Sequence, residues 1–295
     1  MIRISNKNKA VIYIIISAFC FALMNLCVRL SGDLPSFQKS FFRNFVAMFF
    51  AAAMMLKNKQ GFRWKKGNFK YLFLRSLAGT VGIVCNFYAV DHIPLSDASI
   101  LNKMSPFFVI IFSIIILKEK LSLFQGTVVF AAFVGALFVI KPSFSNVDLF
   151  PSMLGLMGGM FAGFAYTIVR LLGKRNENGA MIVFFFSAFS CLTMLPFLIF
   201  DFHPMNIYQF LMLLCAGLAA SGGQFSITAA YCNAPAGEIS VYDYSQIIFA
   251  TILGFVFFGE LTDIYSFIGY AIIILMAAAM FMYNNKIWIF KNKKN

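Results

Sequence analysis

The chain has 295 residues, of which 61% are hydrophobic and 12% are charged, and its mean hydropathy is +0.82. Soluble domains carry about 25% charged residues, so this composition leaves too little polar surface for a water-soluble protein. The net charge of +13 does not indicate nucleic-acid binding, because the basic residues lie in short loops and at the termini rather than in one cluster. The composition therefore predicts an integral membrane protein that is embedded in the lipid bilayer and has no nucleic-acid partner.

Ten apolar runs follow one another along the chain, and each can form a helix of about 20 residues, long enough to cross the hydrocarbon core. Turn-forming segments such as Ser31-Gly32-Asp33 and Lys141-Pro142-Ser143 separate them. We predict an all-α fold with ten transmembrane helices. In chain order, the predicted spans cover residues 10–30, 36–56, 69–90, 97–117, 121–140, 151–172, 181–200, 207–231, 237–258 and 264–283.

The basic residues indicate which side of the membrane each loop faces. With the N-terminus in the cytoplasm, most of the 24 Lys and Arg fall on the cytoplasmic side, including Arg75, Arg170 and Lys174. Cytoplasmic loops of membrane proteins are enriched in these residues. Both termini are therefore predicted to be cytoplasmic, in a multi-pass protein of the inner (cell) membrane.

The two halves of the sequence form a repeat. A constant shift of 141 residues places Val28-Arg29-Leu30 on Val169-Arg170-Leu171, and it pairs Glu119 with Glu260. Five spans per half is an odd number, so the second half would enter the membrane from the opposite side. We predict two inverted five-helix repeats, residues 1–146 and 147–295. This architecture is typical of secondary transporters, whose binding sites lie near the midplane between the repeats.

Short motifs in both halves carry a resemblance to a known family. The first half has Ile93-Pro94-Leu95-Ser96-Asp97-Ala98, Ser105-Pro106 and Leu117-Lys118-Glu119, and the second has Ala234-Pro235-Ala236-Gly237-Glu238, Tyr244-Ser245-Gln246 and Gly259-Glu260. This pattern resembles the paired EamA repeats of the drug/metabolite transporter superfamily, over nearly the whole chain. Arg43 in the second span also fits the family pattern, whereas Ile247 stands where many members have proline.

The resemblance implies a ten-helix basket whose central cavity is lined mainly by spans 1, 3, 4, 6, 8 and 9. It also implies movement of small metabolites, often amino acids or related compounds, by proton coupling or exchange. It does not single out one substrate, because the members of the family differ widely.

Charged residues inside two spans are the main candidates for a binding site. Lys103 lies in the fourth span and Asp243 in the ninth, although an ionisable residue at the centre of a span costs about 2.5–3.5 kcal/mol. The repeat pairs Asn102 with Asp243, so we expect the two polar clusters to meet. Either they bind substrate, or Lys103 and Asp243 form a structural ion pair that locks the two spans together. The substrate-binding candidates from these clusters are Asn102, Lys103, Tyr242, Asp243, Tyr244 and Gln246.

Asp243 is also the candidate for proton coupling, because its protonation would free Lys103 to bind an anionic group. Arg43 is a further cavity candidate, since it lies about seven residues inside the second span. Weaker candidates are polar residues in apolar spans, which either line the cavity or form hydrogen bonds between helices. These are Asn25, Asn86, Tyr166 and Gln224.

Other features of the spans are predicted to be structural. Arg29 and Arg170, at equivalent helix ends, are expected to extend to the lipid headgroups. Glu119 and Glu260 are expected to cap the helices that follow them. A stripe in the sixth span, formed by Gly155, Gly159 and Gly163, favours close helix packing, although sliding of one half of the protein on the other would use the same surface. Pro106 is expected to kink the fourth span just after Lys103.

Three other classes of protein fit the sequence less well. An intramembrane enzyme would need a catalytic constellation, but the two histidines, His92 and His203, fall in separate outer loops, and no metal site or cofactor is predicted. A channel would show a filter-like loop or rings of charge, and a scaffold would need longer loops. We therefore predict a secondary transporter, not an enzyme, for a small anionic or zwitterionic metabolite. A multidrug or cationic-compound exporter of the same fold remains an alternative, and a homodimer is left open.

Overall fold

The computed structural model describes residues 6–59, 61–92, 101–140, 149–259 and 263–285, and these ranges contain helices and no strand. A 3₁₀ turn, Ser240–Tyr244, lies between the helices Ala236–Ile239 and Ser245–Phe258. The helices are α1 Asn6–Leu30, α2 Ser36–Lys57, α3 Phe69–His92, α4 Ser105–Leu117, α5 Leu123–Ile140, α6 Leu149–Lys174, α7 Gly179–Phe200, α8 Ile207–Asn233, α9 Ala236–Ile239, α10 Ser245–Phe258 and α11 Ile264–Asn284.

Within the described ranges, eight segments are long and apolar enough to cross a membrane, with α9 to α10 counted as the single segment Ala236–Phe258. The apolar helix α4 is shorter, at 13 residues, and α3 has 24 residues but is not among the eight. Large apolar side chains of these helices face outward: Ile115, near the end of α4, is 66% exposed, and Leu192, in the middle of α7, is 70% exposed. Such a surface suits the lipid of a bilayer and is unfavourable in water. These features are those of a multi-pass membrane protein.

The helices pack in pairs that correspond when the two halves of the chain are exchanged. Helix α1 packs along α8, and its counterpart α6 packs along α3. Similarly, α10 packs on α1 and α4 packs on α6, while α2 contacts α7 and α5 contacts α11. The symmetry is incomplete, because α6 and α7 each pack on α8, whereas the described parts of the equivalent pairs, α1 with α3 and α2 with α3, do not pack closely. The bundle is therefore tighter around α6 and α8.

The predicted fourth and ninth spans are interrupted rather than continuous. Residues 101–102 are helical, Lys103 and Met104 form a turn, and α4 begins at Ser105 with Pro106 in its first turn. Proline suits that position because a first-turn residue has no intrahelical partner for its N–H group. The ninth span is interrupted by the 3₁₀ turn although it has no proline. The prediction of a kink after Lys103 is therefore corrected to a break that includes Lys103, with a second break in the other half.

The glycine stripe of α6 lets the interrupted fourth span approach closely. A Cβ atom at Gly159 would lie 2.5 Å from the carbonyl oxygen of Leu101, and one at Gly163 would lie 2.6 Å from Cβ of Phe108. Both contacts involve backbone or Cβ atoms that cannot rotate away. The stripe therefore packs against the segment that carries Lys103, in agreement with the packing interpretation.

We predict that Gly159→Ala lowers the free energy of unfolding by about 1–3 kcal/mol, the usual cost of overpacking a core. Gly126→Ala in α5 is the matched control, because a Cβ there would lie 3.6 Å from its nearest neighbour, Cδ2 of Leu121. That control should be neutral or stabilising, since alanine favours a helix over glycine by about 1 kcal/mol. Thermal unfolding of the purified variants measures both effects, and equal stability of the two would contradict the packing account.

Candidate functional site

A polar cavity of about 190 Å³ lies where the two interrupted spans meet α1, α3, α6 and α8. Single residues from α2 and α7, Arg43 and Phe186, complete its wall. The cavity is small enough to suit a metabolite or a part of one. Its polar and charged lining residues are Asn25, Arg43, Arg75, Asn86, Asn102, Lys103, Ser105, Tyr166, Gln224, Asp243 and Gln246.

An ion pair between the two interrupted spans forms one side of the cavity. Nζ of Lys103 lies 3.0 Å from Oδ2 of Asp243 and 2.7 Å from Oε1 of Gln246. It also donates to the backbone carbonyl of Asp243, at 3.4 Å. The three donors of the ammonium group therefore meet three oxygen acceptors. Because the side chains of Lys103 and Asp243 are only 11% and 12% exposed, this pair is largely shielded from water.

The structure places most of the predicted site residues around this pair. Nine of them line the cavity: Asn25, Arg43, Asn86, Asn102, Lys103, Tyr166, Gln224, Asp243 and Gln246. The phenol ring of Tyr166 stacks on Tyr231, with ring centroids 5.2 Å apart, which fixes its orientation in the wall.

Tyr242 and Tyr244 are the exceptions, because neither lines the cavity. Tyr244 is fully buried, and its hydroxyl donates to the backbone carbonyl of Lys103 at 3.2 Å. Tyr242 is buried among apolar residues of the core. The tight 3₁₀ turn directs these rings into the protein, so the prediction of direct substrate contact is corrected for both. Tyr244 instead fixes the turn that carries Lys103.

Arg75 lines the cavity, although the distribution of basic residues predicts it on the cytoplasmic side. It is only 2% exposed, and its Nη2 donates to Oε1 of Gln224 at 3.2 Å. Its guanidinium group lies 3.7 Å from the centroid of the Phe186 ring, and Gly79 leaves room for Nη1. The depth criterion that identified Arg43 would also have found Arg75, because it lies six residues inside α3.

A second charged cluster joins the C-terminal end of α6 to the α4–α5 connection. Oε1 of Glu119 accepts from Nε of Arg170 at 2.9 Å and lies 2.8 Å from Nζ of Lys174. Nη1 of Arg170 also donates to the carbonyl oxygen of Cys232, at 3.1 Å, at the end of α8. Arg170 therefore holds α6 against α8 instead of extending to the headgroups as predicted.

Glu119 does not cap α5 as predicted, because Ser122 and Gln125 exchange side chain–backbone hydrogen bonds there. Burial favours the neutral form of Glu119, but hydrogen bonds from Lys174 and Arg170 outweigh it and lower the pKa of this carboxyl. Its negative charge is therefore retained at neutral pH. Glu260, its equivalent in the second half, lies outside the described residues.

Comparison with known proteins identifies related sequences over almost the whole chain. The family described as "EamA-like transporter family" matches residues 8–141 and 149–282. The pseudopaline exporter CntI of Pseudomonas aeruginosa (strain UCBPP-PA14) is 32% identical over 276 residues, which cover 92% of this chain and 96% of the exporter. The riboflavin transporter of Vibrio cholerae is 25% identical over 223 residues, covering 74% of this chain and 73% of that protein.

A human relative and a solved structure extend the comparison. Human solute carrier family 35 member G1 is 27% identical over 262 residues, covering 84% of this chain and 72% of that protein. A structure titled "Crystal structure of protein" superposes with a TM-score of 0.80, covering 93% of this chain and 98% of that chain. Its sequence identity is 14%, so it shows the fold alone.

We predict that the Lys103–Asp243 pair is energetically coupled. Lys103→Gln or Asp243→Asn alone leaves one buried charge without its partner and should lower the free energy of unfolding by roughly 3–5 kcal/mol. The double variant should cost less than the sum of the two, because neither charge is then left unpaired. Chemical unfolding of the four proteins in detergent measures the coupling, and strictly additive effects would show that the pair contributes none.

Proposed function

Because this chain belongs to the EamA-like transporter family, we propose that it is a secondary active transporter of a small anionic or zwitterionic metabolite, an amino acid or a related compound. The observation that carries this proposal is the shielded ion pair of Lys103 and Asp243, which lies in a cavity built from both halves. Ionisable residues at membrane depth mark substrate or ion pathways. A zwitterion could exchange partners with this pair, its amine with Asp243 and its carboxylate with Lys103.

The architecture we propose has ten spans in two inverted repeats, residues 1–146 and 147–295, with both termini in the cytoplasm. Two observations support it: the helix pairs correspond when the halves are exchanged, and the fourth and ninth spans are both interrupted beside the cavity. Interrupted helices at the interface of two repeats are a recurring design of transporter binding sites.

Alternating access requires one end of the cavity to be closed while the other is open. In the proposed orientation, the cluster of Glu119, Arg170 and Lys174 closes the cytoplasmic end by holding α6 against α8. The described parts of the equivalent helices α1 and α3 do not pack on each other in this way. We therefore propose that the structure represents an outward-facing state. Transport to the cytoplasmic side would require the Glu119 cluster to separate.

Proton coupling is proposed to act through Asp243. Protonation of this carboxylate would release Lys103 for an anionic group of the substrate, so proton and substrate movement would be linked. Exchange of two substrates remains the alternative mode of coupling. A multidrug or cationic exporter is the second candidate for the function, and three cationic side chains in the cavity wall, Arg43, Arg75 and Lys103, argue against it. A channel is disfavoured because the cytoplasmic end is closed by packed helices.

We predict that Lys103→Ala and Asp243→Ala each abolish ligand binding. A thermal-shift screen of the purified protein against amino acids, nucleotides, organic acids and cationic drugs identifies a ligand, which at 100 times its Kd adds about 2.7 kcal/mol of apparent stability. Lys66→Ala is the control, since Lys66 is exposed outside the helices. A ligand that stabilises both cavity variants as much as the wild type would contradict the site, and a cationic drug as the best ligand would favour the second candidate.

We predict that Glu119→Gln opens the cytoplasmic end. Loss of a charge-assisted hydrogen bond worth about 1.5–3 kcal/mol shifts such an equilibrium roughly tenfold or more. The reporter is Cys232, whose Sγ lies 3.7 Å from the Val169 carbonyl oxygen between α8 and α6. The other five cysteines are replaced, so that Cys232 is the only one left. In this background, a maleimide applied from the cytoplasmic side should label Cys232 faster in Glu119→Gln than in the protein with Glu119. The exposed residue Asp201 provides the control variant Asp201→Asn, and equal labelling rates in the two variants would contradict the gate.

A further inference from the structure

The positive charge of the cavity is concentrated away from the Lys103–Asp243 pair. Lys103 is neutralised by Asp243, so Arg43 and Arg75 carry the remaining charge of the lining. Among the described residues, neither arginine takes part in an ion pair. A doubly positive surface inside a membrane protein is unfavourable unless something negative compensates for it.

The guanidinium group of Arg75 is held in place, but not all of its hydrogen-bond donors have acceptors. Its Nη2 has one acceptor, Gln224, and the face of its guanidinium group rests on the Phe186 ring. Its Nε is buried and has no hydrogen-bond partner in the described structure. The residue as a whole is 2% exposed, so water does not readily replace the missing partner. A buried arginine donor without a partner, beside a cavity, needs an explanation, and an acceptor that is not part of the protein would supply one.

Arg43 approaches the same cavity from α2. The one hydrogen bond recorded for its side chain runs from Nε to Sδ of Met24, at 3.0 Å, and a thioether sulfur is a weak acceptor. Arg43 is 7% exposed, and it acts electrostatically on Arg75, so the two like charges repel each other. The repulsion between the two guanidinium groups would be relieved by an anion that contacts both of them.

We propose that Arg43 and Arg75 form an anion subsite, and that the substrate carries a doubly negative moiety, either two carboxylates or one phosphate. The guanidinium fork binds carboxylate and phosphate groups in a bidentate manner, which suits both sources of this charge. The proposal rests on the proposed transport function and deepens it. The Lys103–Asp243 pair then holds the remainder of the substrate, and the charge of the cavity is balanced when the substrate is bound.

Matched ligand pairs test the subsite in the full-length purified protein. Succinate and succinamate differ in one negative charge at nearly equal size, and glycerol 3-phosphate and glycerol differ in the phosphate. Binding is measured for the wild type, Arg43→Gln, Arg75→Gln and the control Arg63→Gln, which removes an exposed positive charge outside the helices. The wild type and Arg63→Gln should bind the doubly charged member of at least one pair about tenfold more tightly or better, as expected for charged hydrogen bonds. Arg43→Gln and Arg75→Gln should lose that preference.

The two pairs also distinguish the sources of the charge, since preference for succinate indicates a dicarboxylate and preference for glycerol 3-phosphate indicates a phosphate monoester. Equal binding within both pairs in the wild type, no binding of any member at millimolar concentration, or a preference that survives in both glutamine variants would overturn the proposal. If a glutamine variant does not fold, Arg43→Lys and Arg75→Lys replace it, because lysine keeps the charge but lacks the bidentate fork, and the preference should then fall several-fold.

Failure of the subsite and failure of the proposed function give different results. If a monoanionic or zwitterionic compound binds in a manner that depends on Lys103 and Asp243, without preference for a second acid group, only the anion subsite is rejected. If no amino acid or organic acid binds in that manner, the proposed function is rejected as well.

Discussion

An ammonium group and a carboxylate that are shielded from water must remain together, and the bond between Lys103 and Asp243 imposes that constraint on the whole bundle. Each residue lies at an interruption of a membrane-spanning helix, so the pair fixes two broken segments at one point. Tyr244 reinforces this junction by donating to the Lys103 carbonyl, and Gly159 allows α6 to approach the adjacent backbone. The cavity exists because the polar groups at these breaks cannot be covered by apolar side chains.

The same physical reasoning separates two roles for charged residues. In the cavity wall, Arg43 and Arg75 lack anionic partners among the described residues. At the end of α6, Arg170 and Lys174 are neutralised by Glu119 and pull helices together. The lowered pKa of Glu119 keeps this cluster charged at neutral pH, so a change of pH in that range would not open it. Any proton coupling therefore has to act at another group, and Asp243 is the one we propose.

Much of this arrangement follows from the sequence, because hydropathy determines where helices cross the membrane and an isolated charge in an apolar run demands a partner. The meeting of Lys103 with Asp243 and Gln246 could be predicted from the repeat and from that demand. Arg75 could have been found in the same way, from its depth in α3, but Arg170 could not, since an arginine near a helix end can reach the headgroups or turn inward and only tertiary packing decides between these alternatives. The orientation of Tyr242 and Tyr244 depends on a 3₁₀ turn that has no proline to signal it.

The central claim, that Lys103 and Asp243 bind substrate and do more than lock two helices, is tested most directly by exchanging the two charges. The double variant Lys103→Asp with Asp243→Lys can restore the ion pair but reverses the charges that face the cavity. We predict that its thermal stability recovers toward that of the wild type, while the ligand identified for the wild type no longer stabilises it. Recovery of both stability and ligand binding would contradict the account and would show that the pair is purely structural.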